Sequence, residues 1–200
     1  MGKRSGARVL GGEVRRGDGV EIEAAILFCD LRGSTRLEEE MGRDDYLALL
    51  NHFFETVSDI VDQAGGEVLK FIGDAVLAVF PREEDERAAC ARAIGAARAI
   101  VRTLREGADK LACECAIGVE YGRVTYGNVG SRARLDFTVI GQAANVAARL
   151  CDHGKKENHQ IIATARCVAG DPDVTHLGHI TLRNVSAPVS CFGVTCEVEA

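Results

Sequence analysis

Two hundred residues give enough chain for one α/β core without a second domain. A formal charge of −6 argues against a nucleic-acid surface, which needs a basic face to release counterions. No apolar run reaches membrane-spanning length, the first residues lead into no signal-peptide core, and Gly2 lacks the Ser or Thr at position 6 that myristoylation uses.

Residues 1–20, rich in Gly and Arg and without periodicity, read as a linker or tail ahead of a domain over 21–200. A strand is predicted at about 22–30. A helix follows whose apolar face is Tyr46, Leu47, Leu50, Phe53, Phe54, Val57, Ile60 and Val61, stopped by Gly65-Gly66. Strands at about 67–72 and 75–80 form a hairpin. Pro81 and the cluster Glu83-Glu84-Asp85-Glu86 open a second long helix to about 105, with acid at its positive end. Strands are expected at about 112–121 and 123–130, then near 136–140. A helix carrying Asn145 and Arg149 comes next, and strands near 160–163, 176–183 and 191–198. Strand–helix–hairpin–helix–strand is a ferredoxin-like βαββαβ order, so the fold class is α+β with extra C-terminal strands and a helix.

Two aspartates stand out. Asp30 ends the apolar run Ala24–Cys29, and Asp74 sits in Lys70-Phe71-Ile72-Gly73-Asp74-Ala75-Val76. Carboxylates at neighbouring strand ends suit a hard divalent cation, which takes oxygen ligands and leaves positions for phosphate. Read alone, Asp30 is equally a strand-end cap and Gly73-Asp74 a two-residue turn.

After Asp30, Leu31-Arg32-Gly33-Ser34-Thr35 runs into a helix start. Ser34 or Thr35 is expected to cap it, with Glu38 or Glu39 near the capping-box position. The free N–H groups of that first turn, beside a glycine, suit a phosphate. Farther on, Asn145 and Arg149 are four apart and share one helix face. The surrounding Ala143, Ala144, Val146, Ala147, Ala148 and Leu150 are small or apolar and let another surface approach closely; the plain alternative for the pair is a solvated face.

The cysteines Cys29, Cys90, Cys113, Cys115, Cys151, Cys167, Cys191 and Cys196 contain no C-x-x-C pair and sit mostly among apolar residues. They read as small buried hydrophobes of a reducing, cytoplasmic compartment. His176 and His179 lack partners at zinc spacing and read as surface or strand residues.

Phe28-Cys29-Asp30-Leu31-Arg32-Gly33-Ser34-Thr35, Lys70–Asp74 and Thr138-Val139-Ile140-Gly141-Gln142-Ala143-Ala144-Asn145-Val146-Ala147-Ala148-Arg149 together resemble the catalytic domain of class III nucleotidyl cyclases. The likeness runs from about Glu21 to Val198, with all three motifs in family order. It implies the nucleotidyl cyclase fold, an elaborated ferredoxin-like core, and conversion of ATP to 3′,5′-cyclic AMP and pyrophosphate. It also implies two divalent metals, Mg²⁺ or Mn²⁺ with Ca²⁺ as an alternative at one position, held by Asp30, Asp74 and the carbonyl of Leu31. Asn145 would orient the ribose and Arg149 would face the α-phosphate. Gly33, Ser34, Thr35 and a basic residue, Arg134 or more weakly Arg183, would meet the triphosphate. The family's sites are shared across a homodimer, and its catalytic domains are commonly joined to an upstream sensor.

By the same resemblance, Lys70 and Thr138 would read the base, which is the pattern of a bacterial class IIIb-like subgroup. A lysine only donates, so Lys70 suits the N1 acceptor of adenine and leaves guanine N1–H unmatched. Thr138 can accept or donate. A diguanylate cyclase hairpin carries two glycines followed by acids, unlike Gly73-Asp74-Ala75. A guanylate cyclase, or a non-catalytic homologue acting as a sensing or dimerising module, remains a rival reading.

Overall fold

The computed structural model describes residues 19–107, 111–131 and 135–196. Its elements in order are β1 (Gly19–Leu31), α1 (Ser34–Glu40), α2 (Arg43–Gln63), β2 (Glu67–Ile72), β3 (Ala75–Pro81), α3 (Glu86–Arg105), β4 (Cys115–Gly130), β5 (Leu135–Ile140), α4 (Gln142–Glu157), β6 (Ile161–Thr164), β7 (Val174–Ile180) and β8 (Val189–Val194). One sheet runs β2-β3-β1-β4-β6-β8-β7, with β5 paired to β4. Its first four strands keep the antiparallel ferredoxin-like order, and the later strands extend it from β4.

β1 is the central strand, and the parity of its residues assigns the layers. Ala25, Leu27, Cys29 and Leu31 face the helices α2 and α3, where Phe53, Val57, Ile94 and Leu104 are buried. Ala24 and Ile26 face the other way, towards Ala143 and Ala147 of α4. With both faces covered, the strand reads as a nearly unbroken apolar run. Asp30 shares the even parity, so its side chain leaves the sheet on the α4 side.

Each helix has a local cause. Asp44 and Asp45 lie in the first turn of α2. Asp85 caps α3 by accepting from the Ala88 N–H at 2.7 Å, and Arg102 and Arg105 face its C-terminal dipole. α4 ends on Asn158 in the left-handed region, φ 60°, with Lys155 and Lys156 in its last turn.

Three sequence expectations change. The strands expected at 112–121 and 123–130 are one strand, because β1 pairs with it without a break from Gly19↔Gly127 to Leu31↔Cys115. β1 starts at Gly19, inside the expected tail. α1 is capped by Gly33 in the left-handed region, φ 67°, not by Ser34 or Thr35, and no side chain makes a cap bond. The alanine-rich stretch of α4 does admit a close neighbour, this chain's own sheet, against which Ala143, Val146 and Ala147 are buried. Gly118 shows how close that contact is, since a Cβ there would stand 2.0 Å from the Ala147 carbonyl oxygen.

Candidate active site

Asp30 lies opposite Ala75 of β3 and Ala116 of β4, at the point where β1 leaves the sheet. Asp74 is the residue immediately before Ala75, in the two-residue turn that joins β2 to β3. The Leu31 N–H donates to the Asp74 carbonyl at 3.3 Å, tying the two carboxylate-bearing segments together. The Leu31 side chain is buried, so only its backbone can face the site. Burial holds the Asp30 carboxyl above its ordinary range; Lys155 pulls it down, and Asp74 and Asp152 push it up.

Asp30 Oδ1 is sealed from solvent and makes no hydrogen bond. The Lys155 ammonium stands 2.5 Å from it in an ion pair. A buried carboxylate oxygen that already attracts a cation, next to a second carboxylate, fits a divalent cation. Among the described residues no group of three or more His, Cys, Asp or Glu side chains gathers to hold a metal. Backbone and substrate oxygens would therefore have to complete the shell.

Gly33 is exposed at the start of α1, with open space where a Cβ would stand. The first N–H groups of the helix, from Ser34 and Thr35 onward, have no intrahelical acceptor. Arg32, which the sequence reading passed over, fixes this loop. Its backbone N–H donates to the Glu114 carbonyl at 2.8 Å. Its guanidinium reaches the carbonyls of Cys115, Gly154 and His159 and the Asn158 side chain. A cation on the last carbonyls of α4 suits the negative end of the helix.

Lys70 lies on β2 just past a break in register with β3. Its Nζ is 2.5 Å from Asp136 Oδ2 on β5. Thr138 is buried two residues along the same strand, and so on the same face as Asp136. Asn145 is exposed on α4, and Arg149 pairs with Asp152 at 3.0 Å. Arg183 is exposed in the segment after β7, the strand at the opposite end of the sheet from β2. Its neighbour Leu182 packs with Val146 and Leu150 of α4. Arg134 lies outside the described residues.

The chain thus forms three groups: Asp30 with Asp74 and Leu31, Lys70 with Thr138, and Asn145 with Arg149. Asn145 stands ten residues before Lys155 on α4, roughly 15 Å along the axis from the residue that touches Asp30. Lys155, Asp136 and Asp152 were missed by the sequence reading. For Asp152 a signal existed, since it lies three residues past Arg149 on the stripe that Asn145 begins.

A family model described as the adenylate and guanylate cyclase catalytic domain matches residues 21–194. The chain belongs to that family. This cyclase domain is 40% identical over 182 residues to uncharacterised proteins of Mycobacterium bovis and Mycobacterium tuberculosis, covering 86% of this chain and 32% of theirs. It therefore spans about a third of the length of those relatives. Among solved structures, a bacterial light-regulated adenylyl cyclase superposes with a TM-score of 0.83 at 26% identity, over 98% of this chain and 59% of that one. The adenylyl cyclase CyaB from P. aeruginosa gives 0.77 at 25% identity, over 89% and 96%. A guanylyl cyclase gives 0.75 at 27% identity, over 88% and 93%. The cyclase fold follows, and relatives of both base specificities share it. Among the described residues no helix is long and apolar enough to cross a membrane.

Proposed function

We propose that this cyclase domain, over 21–200, is an adenylate cyclase of the bacterial Lys/Thr subgroup. It converts ATP to 3′,5′-cyclic AMP and pyrophosphate in sites shared across a homodimer. The observation that carries the reading is the pair Asp30 and Asp74 at adjoining strand ends, with Asp30 Oδ1 sealed from solvent and facing the Lys155 ammonium. Asp30, Asp74 and the Leu31 carbonyl are the groups that would hold two divalent cations, Mg²⁺ or Mn²⁺, with Ca²⁺ an alternative at one. Bound there, the cations lower the pKa of the ribose 3′-hydroxyl and neutralise triphosphate charge.

The chain's own side chains supply the rest. Lys70 donates to adenine N1, and Thr138 accepts from the N6 amino group. Asn145 orients the ribose so that the 3′-hydroxyl lies in line with the α-phosphorus, and Arg149 faces the charge that grows on the α-phosphate. The N–H groups of Gly33, Ser34 and Thr35 donate to phosphate oxygens, with Arg134 and Arg183 as basic contacts. The separation along α4 between Asn145 and the Asp30 contact favours assembly from two chains, one giving the carboxylates and the other the base-reading and Asn/Arg groups. The greater length of the mycobacterial relatives is in keeping with a catalytic domain joined to a sensor.

The test is purified protein with ATP or GTP and Mn²⁺ or Mg²⁺, assayed for cyclic product and pyrophosphate. Cyclic AMP with GTP a poor substrate is expected. A tenfold preference for GTP would overturn the base assignment, and no cyclic product from either would leave a non-catalytic homologue.

A further inference from the structure

The family motifs end at Arg149, yet α4 continues for two more turns and brings a cation onto the carboxylate pair. The cation is delivered by a helix that cannot drift. Gly118 lets the α4 backbone sit directly on β4. Cys151 Sγ donates to the carbonyl of Ala116, the β4 residue paired with Asp30, at 3.1 Å. Arg32, two residues after Asp30, ties the carbonyls of Gly154 and His159 to the strand end. Lys155 follows Cys151 by one turn, which places its ammonium over Asp30 at 2.5 Å. Asp30 is 13% exposed and Lys155 33%, so the ammonium has a path to water on a flexible four-carbon stem.

A divalent cation bound to Asp30 would stand close to this ammonium, and two positive charges on one carboxylate repel one another. We infer that Lys155 is a tethered counter-cation that occupies the metal position on Asp30 until a divalent metal displaces it, and that it thereby sets the metal affinity of the site. The inference rests on the reading of Asp30 and Asp74 as metal ligands. Two consequences of opposite sign follow. Without metal, Lys155 offsets carboxylates that would otherwise face one another in a half-buried pocket, so its loss destabilises the protein. With metal, its loss removes a competitor, so binding tightens.

The experiment uses the whole chain without nucleotide and Mn²⁺ alone as the probe, with free Mn²⁺ followed by electron paramagnetic resonance. Thermal unfolding is recorded in chelator and in excess Mn²⁺. Lys155→Met keeps the apolar stem and removes the charge; Lys155→Gln serves if that variant does not fold. The neutral variant is expected to bind Mn²⁺ about tenfold more tightly than wild type, the scale of one partly exposed charge interaction. It should also melt lower in chelator and gain more from Mn²⁺. Lys155→Arg, which keeps the charge, should stay near wild type in affinity. Unchanged or weaker Mn²⁺ binding in the neutral variant, or no binding by either chain, overturns the inference. Asp30→Asn separates the two ideas. If it loses Mn²⁺ while Lys155→Met matches wild type, only the role of Lys155 falls. If it binds Mn²⁺ like wild type, the metal reading falls too.

Discussion

Lys70 Nζ stands 2.5 Å from Asp136 Oδ2, a contact between strands that are not neighbours along the sheet path. The carboxylate uses one of the three ammonium donors and leaves the others for a base. Thr138, on the same face of β5, cannot hold a lysine by charge, whereas Asp136 can.

Lys70→Glu should erode the preference for ATP, because it removes the donor to adenine N1 and adds an acceptor for guanine N1–H. Leaving one buried polar group unmatched costs about 1–3 kcal/mol, so the ATP/GTP ratio of kcat/KM is expected to fall by roughly one to two orders of magnitude. Asp136→Asn should move the ratio the same way by less. Parallel kinetics on both nucleotides check this, and an unchanged ratio in Lys70→Glu would remove Lys70 from base reading.

Asp30→Asn and Asp74→Asn should each lower metal-dependent turnover by roughly a hundredfold or more, the scale of a lost metal ligand. Both should stay folded, since each change relieves like-charge repulsion, and the Lys155 ammonium that Asp30→Asn leaves unpaired is exposed enough to reach water. Circular dichroism beside the assay decides: unfolded mutants would return the pair to a structural role.

Asp74→Asn and Arg149→Ala, each inactive alone, should complement on mixing. Each mixed dimer has one doubly damaged site and one intact site, so random pairing restores roughly a quarter of wild-type sites. No recovery, with subunit exchange shown independently, would mean that the site is not shared in this way.

A pH effect is expected away from the site. Burial pushes the Glu120 carboxyl up to about 7, against Thr164, the Tyr121 backbone and Arg166, which lower it, while Glu86 raises it. The folded state therefore holds this proton where the unfolded chain has released it, and stability falls as pH rises from the ordinary carboxylate range to about 7. Glu120→Gln should flatten this slope. Melting temperatures of both proteins between about pH 5 and 8 test it, with a difference of a few degrees expected for a domain of this size. Equal slopes would show Glu120 ionised throughout.

What could be read from the sequence depended on how far apart the partners lie along the chain. The hairpin from Glu67 to Pro81 and the two long helices matched because their signals are local: a two-residue turn, an apolar stripe, an acidic cap. β4 was expected as two strands parted at Gly122; that glycine lies instead within one strand where α4 approaches, with a Cβ there 3.1 Å from that of Ala143. The motif residues were legible as types, but what each one touches was not. Lys70 meets Asp136 across 66 positions, and Arg32 meets His159 across 127. No local pattern encodes either contact.

The long ladder between β1 and β4 also has a consequence in time. It joins segments roughly a hundred residues apart, the kind of pairing that must close a large loop before it returns any stabilisation. Asp30 sits inside that ladder, and the helix that faces it comes later still in the chain. During synthesis Asp30 can meet Asp74 once β3 has emerged. The β4 pairing and the α4 cover of Asp30, Lys155 included, must wait until most of the domain has left the ribosome, and the nascent chain passes much of its length with β1 unpaired on the β4 side. Lesions in β4 or α4 far from any substrate should then lower the yield of competent protein while leaving the turnover of the surviving molecules unchanged.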